Sequence, residues 1–274
     1  MKSLLVIGGG FVGLTTALLA AGEGIKVTIL DRRPSAEVLP PNVSAKQVDL
    51  ISIEDVAPFL PGYDNAAWCL RPLTDNKLAS EVSREIRMCY MSSLAVYAPD
   101  IPTADEDSPV NPRTEYGRLK AIEEAAVLGA GSAVVLRSTG LYGPQVEAAR
   151  LSRSARSILT AVNAAKSGAE AVDVEFSEIA DQYLHVYDLV SAVLGLLAAE
   201  SVAGLFNVGP GERHPTQELG RILSDVLGIR VRPVITEDGP PSPVLRTSRL
   251  ERVLPSWFSR PLEVGVEQLL GRSG

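Results

Sequence analysis

Tyr116 and Lys120 stand four residues apart in the stretch Tyr116-Gly117-Arg118-Leu119-Lys120. In a helix that spacing puts a phenol and an ammonium on one face. An ammonium beside a phenol favours the phenolate and moves its pKa down from about 10 toward neutrality, so the pair is equipped for general acid/base catalysis. Ser92 and Ser93, in Ser92-Ser93-Leu94-Ala95-Val96-Tyr97, carry hydroxyls that can hold a substrate oxygen. Near the N-terminus, Gly8, Gly10 and Gly13 form G-x-G-x-x-G, with Phe11 and Val12 inside the motif.

These residues need elements to position them. Residues 2–7 are a short apolar run, 14–21 suit a helix stopped by Gly22 and Gly24, and 25–30 are a second apolar run ending at Asp31. This order predicts a βαβ unit. In such a unit Gly8 makes the tight turn, Gly10 lets backbone N–H groups approach a pyrophosphate at the helix start, and Gly13 permits close packing of helix on strand. Asp31 stands where a carboxylate accepts hydrogen bonds from the adenosine ribose. That carboxylate favours NAD by repelling an added phosphate. Arg32 and Arg33 are suited to a 2′-phosphate, which keeps NADP as the alternative.

The same rhythm continues downstream. Strands are expected at 43–48, 66–70, 87–92 and 133–137, and helices at 76–87 and 114–128. Alternating elements predict a Rossmann-type, doubly wound parallel sheet wrapped by helices. A ligand then belongs at the carboxyl ends of the strands, where Ser92 and Ser93 converge on the pocket of Tyr116 and Lys120. Residues 1–144 read mainly as the NAD(P)-binding domain. Residues 145–274 read mainly as a small substrate-binding lobe, with some segments returning to the sheet.

Composition narrows the function classes. The chain has 274 residues, 22% of them charged, and a net charge of −7. A negative chain without a basic stripe does not fit a general nucleic-acid surface. No secretory leader and no bilayer-length apolar run are read in it, so the expected location is cytoplasmic, with no membrane partner. Cys69 and Cys89 lack metal-ligand or CxxC spacing, and His185 and His214 are isolated, so no metal site is expected.

Several segments together resemble the extended short-chain dehydrogenase/reductases, specifically the NAD-dependent epimerase/dehydratase family. Gly10-Phe11-Val12-Gly13 resembles its glycine turn, and Ser92 to Tyr97 its S-S-x-x-V-Y segment. Tyr116 and Lys120 match Y-x-x-x-K. Arg137 to Pro144 resembles R-x-x-x-x-Y-G-P, Tyr183 to Asp188 resembles F-x-H-V-x-D, and Phe206-Asn207-Val208-Gly209 matches f-N-v-G. The resemblance implies that Tyr116 exchanges a proton with a substrate hydroxyl, that Lys120 lowers its pKa and binds the nicotinamide ribose, and that Ser93 orients the reacting oxygen. It also implies that Asp49 contacts adenine.

Departures limit what carries over. The chain has Cys69-Leu70-Arg71-Pro72 where the family has His-Leu-Ala-Ala, and it lacks a longer insertion whose helix often joins a four-helix dimer interface. A homodimer is the family expectation, without that usual interface. Asp181 and Glu237-Asp238-Gly239 stand where nucleotide-sugar enzymes place phosphate-binding arginines; Arg153, Arg156 and Arg246 are the alternative cations. The expected function is an epimerase, or a net dehydrogenase or reductase, at a secondary alcohol or ketone of a sugar-like small molecule. Dehydration, which would use an acid pair where Leu94-Ala95 stands, and non-catalytic NAD(P) sensing are the alternatives.

Overall fold

A computed structural model of the chain describes residues 1–34, 38–72, 77–144, 153–177, 182–237 and 242–271. In chain order the first part runs β1 (Ser3–Ile7), α1 (Phe11–Gly22), β2 (Lys26–Asp31), β3 (Val43–Gln47), α2 (Ile53–Val56), β4 (Asn65–Trp68), α3 (Lys77–Glu85), β5 (Met88–Ser93), β6 (Thr103–Ala104), α4 (Glu115–Leu128) and β7 (Val134–Ser138). The second part continues with β8 (Gly140–Tyr142), α5 (Arg153–Lys166), β9 (Ala171–Ser177), β10 (Tyr183–His185), α6 (Val186–Ala198), β11 (Gly204–Val208), α7 (Thr216–Leu227), β12 (Arg230–Glu237), β13 (Val244–Leu245), α8 (Ser248–Val253) and α9 (Leu262–Leu269).

Seven strands form one sheet in the order β11-β7-β5-β4-β1-β2-β3, with every pairing parallel. The strand order reverses between β1 and β4, which is the switch point where such a sheet opens a crevice at its carboxyl edge. Both faces are covered, as a parallel sheet requires. On β1, Leu4 and Val6 enter a core with residues of α1 and α6, whereas Leu5 and Ile7 enter the opposite core with residues of α3 and α4. That alternation follows the two-residue period of a strand.

The second part contributes to both bodies of the molecule. α6 supplies much of the core behind α1, and β11 extends the sheet beside β7. A separate core gathers α5, α7, α9, β9 and β12 around Tyr142 and Phe176, and β9 and β12 form their own two-stranded parallel sheet. Phe11, inside the glycine motif, packs in this second core.

One residue couples the two halves through backbone. Arg87 precedes β5, and its guanidinium donates to the carbonyls of Leu196, Leu197, Ala199 and Val202 at 2.6 to 3.0 Å. Those of Leu196, Leu197 and Ala199 are at the C-terminal end of α6, where a helix leaves carbonyls without internal partners, and that of Val202 is in the segment that follows. Arg87→Ala is expected to lower unfolding stability by about 3 kcal/mol, read as a lower urea midpoint. Arg87→Lys should not restore it, because a single ammonium cannot span the fork of acceptors.

Candidate active site

The glycine turn lies at the switch point. Gly8 has φ of +101°, a backbone state that favours glycine. A Cβ on Gly13 would lie 1.8 Å from the Gly8 carbonyl oxygen, so only glycine lets α1 start this close to β1, whereas Gly10 has open space around its Cα. Gly10 also caps α1 without a side-chain hydrogen bond, leaving the first N–H groups, those of Phe11, Val12 and Gly13, directed at a site suited to an anion. The predicted helix began at residue 14; it begins at Phe11 because the turn feeds straight into it. This cradle fits the pyrophosphate of a dinucleotide.

Asp31 ends β2 beside the turn. Its Oδ2 accepts the Gly9 N–H at 2.6 Å and its Oδ1 the Arg33 N–H at 2.7 Å. Two backbone donors thus hold the buried carboxylate beside the turn. Arg32 is exposed next to it. Asp49 is exposed beyond β3, on the same sheet edge. Its neighbour Leu50 takes φ of 57° and buries its side chain in the core.

The two adjacent serines part company. The Ser92 hydroxyl is buried and donates to Glu124 Oε2 at 2.7 Å. Ser93 caps the 3-10 turn at Leu94–Val96, its Oγ accepting from the Ala95 N–H at 3.2 Å, and its hydroxyl lies near enough to the Tyr116 phenol to influence it. Strand alternation makes the split: successive side chains of β5 point to opposite sides.

α4 presents Tyr116 to Ser93 at close range. Thr114 caps the helix, accepting the Gly117 N–H at 3.1 Å. A Cβ on Gly117 would stand 2.2 Å from the Ala95 carbonyl oxygen, so a glycine is needed for the helix start to meet the turn that follows Ser93. Tyr116 itself is 42% exposed. Desolvation of its phenol raises the pKa, while the nearby Ser93 hydroxyl and the charge of Arg71 oppose that rise.

Lys120 lies beneath, almost fully buried. Its three N–H donors reach Met91 O at 2.7 Å, Leu70 O at 3.2 Å and Tyr90 Oη at 3.2 Å. Burial lowers its pKa to about 8, opposed by the charge of Glu123. The simple expectation of an ammonium depressing its neighbouring phenol therefore needs revision: Lys120 reaches across to β5, and the groups that lower Tyr116 are Ser93 and Arg71. Arg71 stands in the segment that departs from the family pattern, a departure with no role assigned to it from the sequence. Gly117, Tyr90 and Glu123 were also passed over, although a glycine next to the candidate tyrosine was a legible signal for close approach.

The remaining motifs act as fasteners. Arg137 Nε donates to Glu124 Oε2 at 3.0 Å, both residues being buried, and its guanidinium lies 4.5 Å from the centre of the Tyr97 ring. Tyr97 Oη donates to Asn207 Oδ1 at 2.7 Å, and Asn207 Nδ2 donates to Ala104 O at 3.1 Å. Asp188 accepts the Arg260 backbone N–H at 2.9 Å and its Nε at 2.8 Å, tying the C-terminal segment to α6. His185 is pushed down to about 3 by burial and by Arg260, so it is a neutral imidazole near neutrality. A cavity of about 340 Å³ lined by His185, Tyr187, Arg260 and Gln268 has its arginine neutralised by Asp188 and holds none of Ser93, Tyr116 and Lys120. The candidate site is the cleft at the sheet edge.

Arg156 and Arg246 are exposed. Asp181, Asp238, Gly239 and the side chains of Arg153 and Glu237 lie outside the described residues, so the expected phosphate subsite does too. Among the described residues no group of His, Cys, Asp and Glu could hold a metal ion, and no helix is long and apolar enough to cross a membrane.

No curated protein sequence matches the chain. Among solved structures, UDP-N-acetylglucosamine 4-epimerase from Bacillus cereus superposes with a TM-score of 0.79 at 19% identity, covering 98% of this chain and 96% of that one. UDP-glucose 4-epimerase from Thermotoga maritima gives 0.80 at 19% identity, covering 98% of each chain. dTDP-glucose 4,6-dehydratase from Bacillus anthracis, in complex with NAD, gives 0.80 at 17% identity over 99% of this chain and 96% of that one. At such identities the likeness is one of fold. Residues 3–37 match a model of FAD dependent oxidoreductases, a match confined to the βαβ unit and its G-x-G-x-x-G turn. The model of the NAD dependent epimerase/dehydratase family matches residues 73–209, from the segment before α3 through the whole serine, tyrosine and lysine constellation to the end of f-N-v-G. Because that model covers half of the chain, the chain belongs to the NAD dependent epimerase/dehydratase family.

Proposed function

We propose that the chain catalyses an NAD-dependent epimerisation, or a net oxidation or reduction, at a secondary alcohol carbon of a sugar or sugar-like molecule, with Ser93, Tyr116 and Lys120 as its catalytic residues. The observation that carries this reading is the close packing of the start of α4 on the turn that follows Ser93, where a Cβ on Gly117 would stand 2.2 Å from the Ala95 carbonyl oxygen, so that Tyr116 and Ser93 border one site. It lies at the carboxyl edge of the sheet, where the glycine turn also opens.

Gly8, Gly10, Phe11, Val12, Gly13 and Asp31 would hold the dinucleotide, with Asp49 and Arg32 at the adenosine end. Bound NAD supplies the hydride acceptor and donor. Tyr116 Oη takes the proton of the substrate hydroxyl as its carbon is oxidised, and returns one when the carbon is reduced. Ser93 Oγ orients the same oxygen. Burial holds the phenol pKa above its ordinary value, and Ser93 and Arg71 oppose that rise. Lys120 adds a buried cation beneath the phenol.

Leu94 and Ala95 are apolar where a dehydratase would use an acid pair, which favours epimerisation or simple redox chemistry over dehydration. The structural neighbours act on UDP- and dTDP-sugars, so nucleotide sugars are the first substrates to test. The purified chain would be incubated with NAD and, in turn, UDP-glucose, UDP-N-acetylglucosamine and dTDP-glucose. Proton NMR would follow the sugar, and absorbance the nicotinamide. Inversion of a centre without net absorbance change identifies an epimerase, and stoichiometric NADH a dehydrogenase. A chain that binds NAD and converts neither these sugars nor a wider panel of sugar alcohols and ketones would sink the proposal.

A further inference from the structure

We infer that Glu123, acting through the Tyr90 hydroxyl, is a positioning residue that keeps Lys120 an ammonium. The inference rests on the assignment of Lys120 to the catalytic group only for its functional meaning; its test does not use turnover.

The geometry is a chain of three buried groups. Lys120 Nζ donates to Tyr90 Oη at 3.2 Å, and Tyr90 Oη donates onward to Glu123 Oε2 at 2.5 Å. Tyr90, Lys120 and Glu123 are each at most 2% exposed. On α4, Lys120 and Glu123 are three residues apart, which puts them on one helix face, while Tyr90 comes from β5 and bridges them from the sheet. The ammonium also lies 4.6 Å from the Tyr90 ring centre.

Charge accounting singles out Glu123. Facing this region are Cys69 and Arg71 from the segment after β4, Tyr90 from β5, Arg137 from β7, and Tyr116, Glu123 and Glu124 from α4. Cys69 is pushed up to about 12 by burial and so is a neutral thiol. Tyr90 and Tyr116 are raised and are neutral phenols. Glu124 is bound directly to Arg137. Glu123 is then the carboxylate linked to Lys120 through Tyr90, as Glu124 is linked to Arg137. A buried ammonium without a matching charge sheds its proton rather than remain charged.

Burial already lowers Lys120 from 10.5 to about 8, and Glu123 is the largest influence in the opposite direction. Glu123→Gln keeps the shape and an acceptor for Tyr90 while removing the charge, so the folded-state lysine pKa should fall below 8. A lysine with a depressed folded-state pKa costs stability wherever the unfolded chain still holds the proton. Deepening the depression enlarges that cost below pH 8 and leaves it unchanged above.

The test is thermal unfolding of the full chain with NAD present, from pH 6 to pH 9.5, for wild type, Glu123→Gln, Lys120→Met and the double variant. The expected result is a Tm deficit for Glu123→Gln of about 3 °C or more below pH 7, closing as pH rises through 8. In the Lys120→Met background the change should lose that pH dependence. Tyr90→Phe, which cuts the bridge and keeps the packing, should give a smaller deficit with the same closure, and it serves if Glu123→Gln does not fold. A deficit constant across pH, or a pH dependence that survives Lys120→Met, overturns the inference. A chain that fails every sugar assay and still shows the coupled pH dependence would lose the proposed reaction and keep this pairing.

Discussion

Gly117→Ala is expected to lower turnover about 100-fold and to reduce stability at the same time. Two effects of opposite sign compete. Replacing a helical glycine by alanine stabilises a helix by roughly 1 kcal/mol when nothing stands in the way. Here the new methyl would lie 2.2 Å from the Ala95 carbonyl oxygen and 3.0 Å from the Ala95 carbonyl carbon, backbone atoms with little room to retreat. Overpacking of this kind costs about 1–3 kcal/mol and often more against backbone, so the net effect is a loss. The first turn of α4 must move away from the 3-10 turn, and Tyr116 moves with it. A displacement of about 1 Å between reacting groups is enough for a 100-fold loss in rate. Measured kcat with NAD and a productive sugar should fall while NAD affinity stays near wild type, because the glycine turn is untouched. Wild-type kcat in Gly117→Ala would mean that the contact between α4 and the 3-10 turn does not set the position of Tyr116.

Arg137→Ala is the expected largest change in stability. Arg137 and Glu124 are respectively 3% and 4% exposed, and truncating the arginine leaves the carboxylate buried with the Ser92 hydroxyl as its remaining donor of those described above. Stranding a buried charge in this way costs about 3–5 kcal/mol. The sign of the pH dependence distinguishes this from loss of packing. A buried charge without its partner is relieved by neutralisation, so the penalty is full near neutrality and shrinks as pH falls. Urea denaturation at pH 7.5 and pH 5 should show the gap to wild type narrowing at the lower pH. Arg137→Met combined with Glu124→Leu should recover most of the loss, since an apolar pair of similar volume avoids the stranded charge. A gap that is the same at both pH values would point to the lost cation–ring packing on Tyr97 instead.

The elements that position the site were legible because their signals are local. Apolar runs bounded by glycine located β1, β2 and β7, and the helix carrying Tyr116 was placed to within a residue at Thr114, its cap. The glycine turn and Asp31 lie on the strand ends where periodicity put them. What could not be read were contacts set by tertiary approach. Nothing in a linear pattern distinguishes Ser92 from Ser93; one faces the Glu124 and Arg137 pair and the other faces Tyr116, because β5 alternates its side chains. The bond from Lys120 to Tyr90 joins residues 30 positions apart, and it replaced a simple pairing of Lys120 with Tyr116. The short strands β8, β9, β10, β12 and β13 were missed because each pairs with a strand far away in sequence, and a short run of two to eight residues carries too little periodicity by itself.

The central claim is that Tyr116 is the proton-exchanging group of an NAD-dependent reaction at a carbinol carbon. The most direct measurement is turnover of the sugar converted by wild type, in enzyme saturated with NAD, compared with Tyr116→Phe, which removes one oxygen atom. The account predicts a fall of about 10²–10⁴-fold in kcat, with NAD binding unchanged. A phenylalanine variant that turns over at the wild-type rate would contradict it.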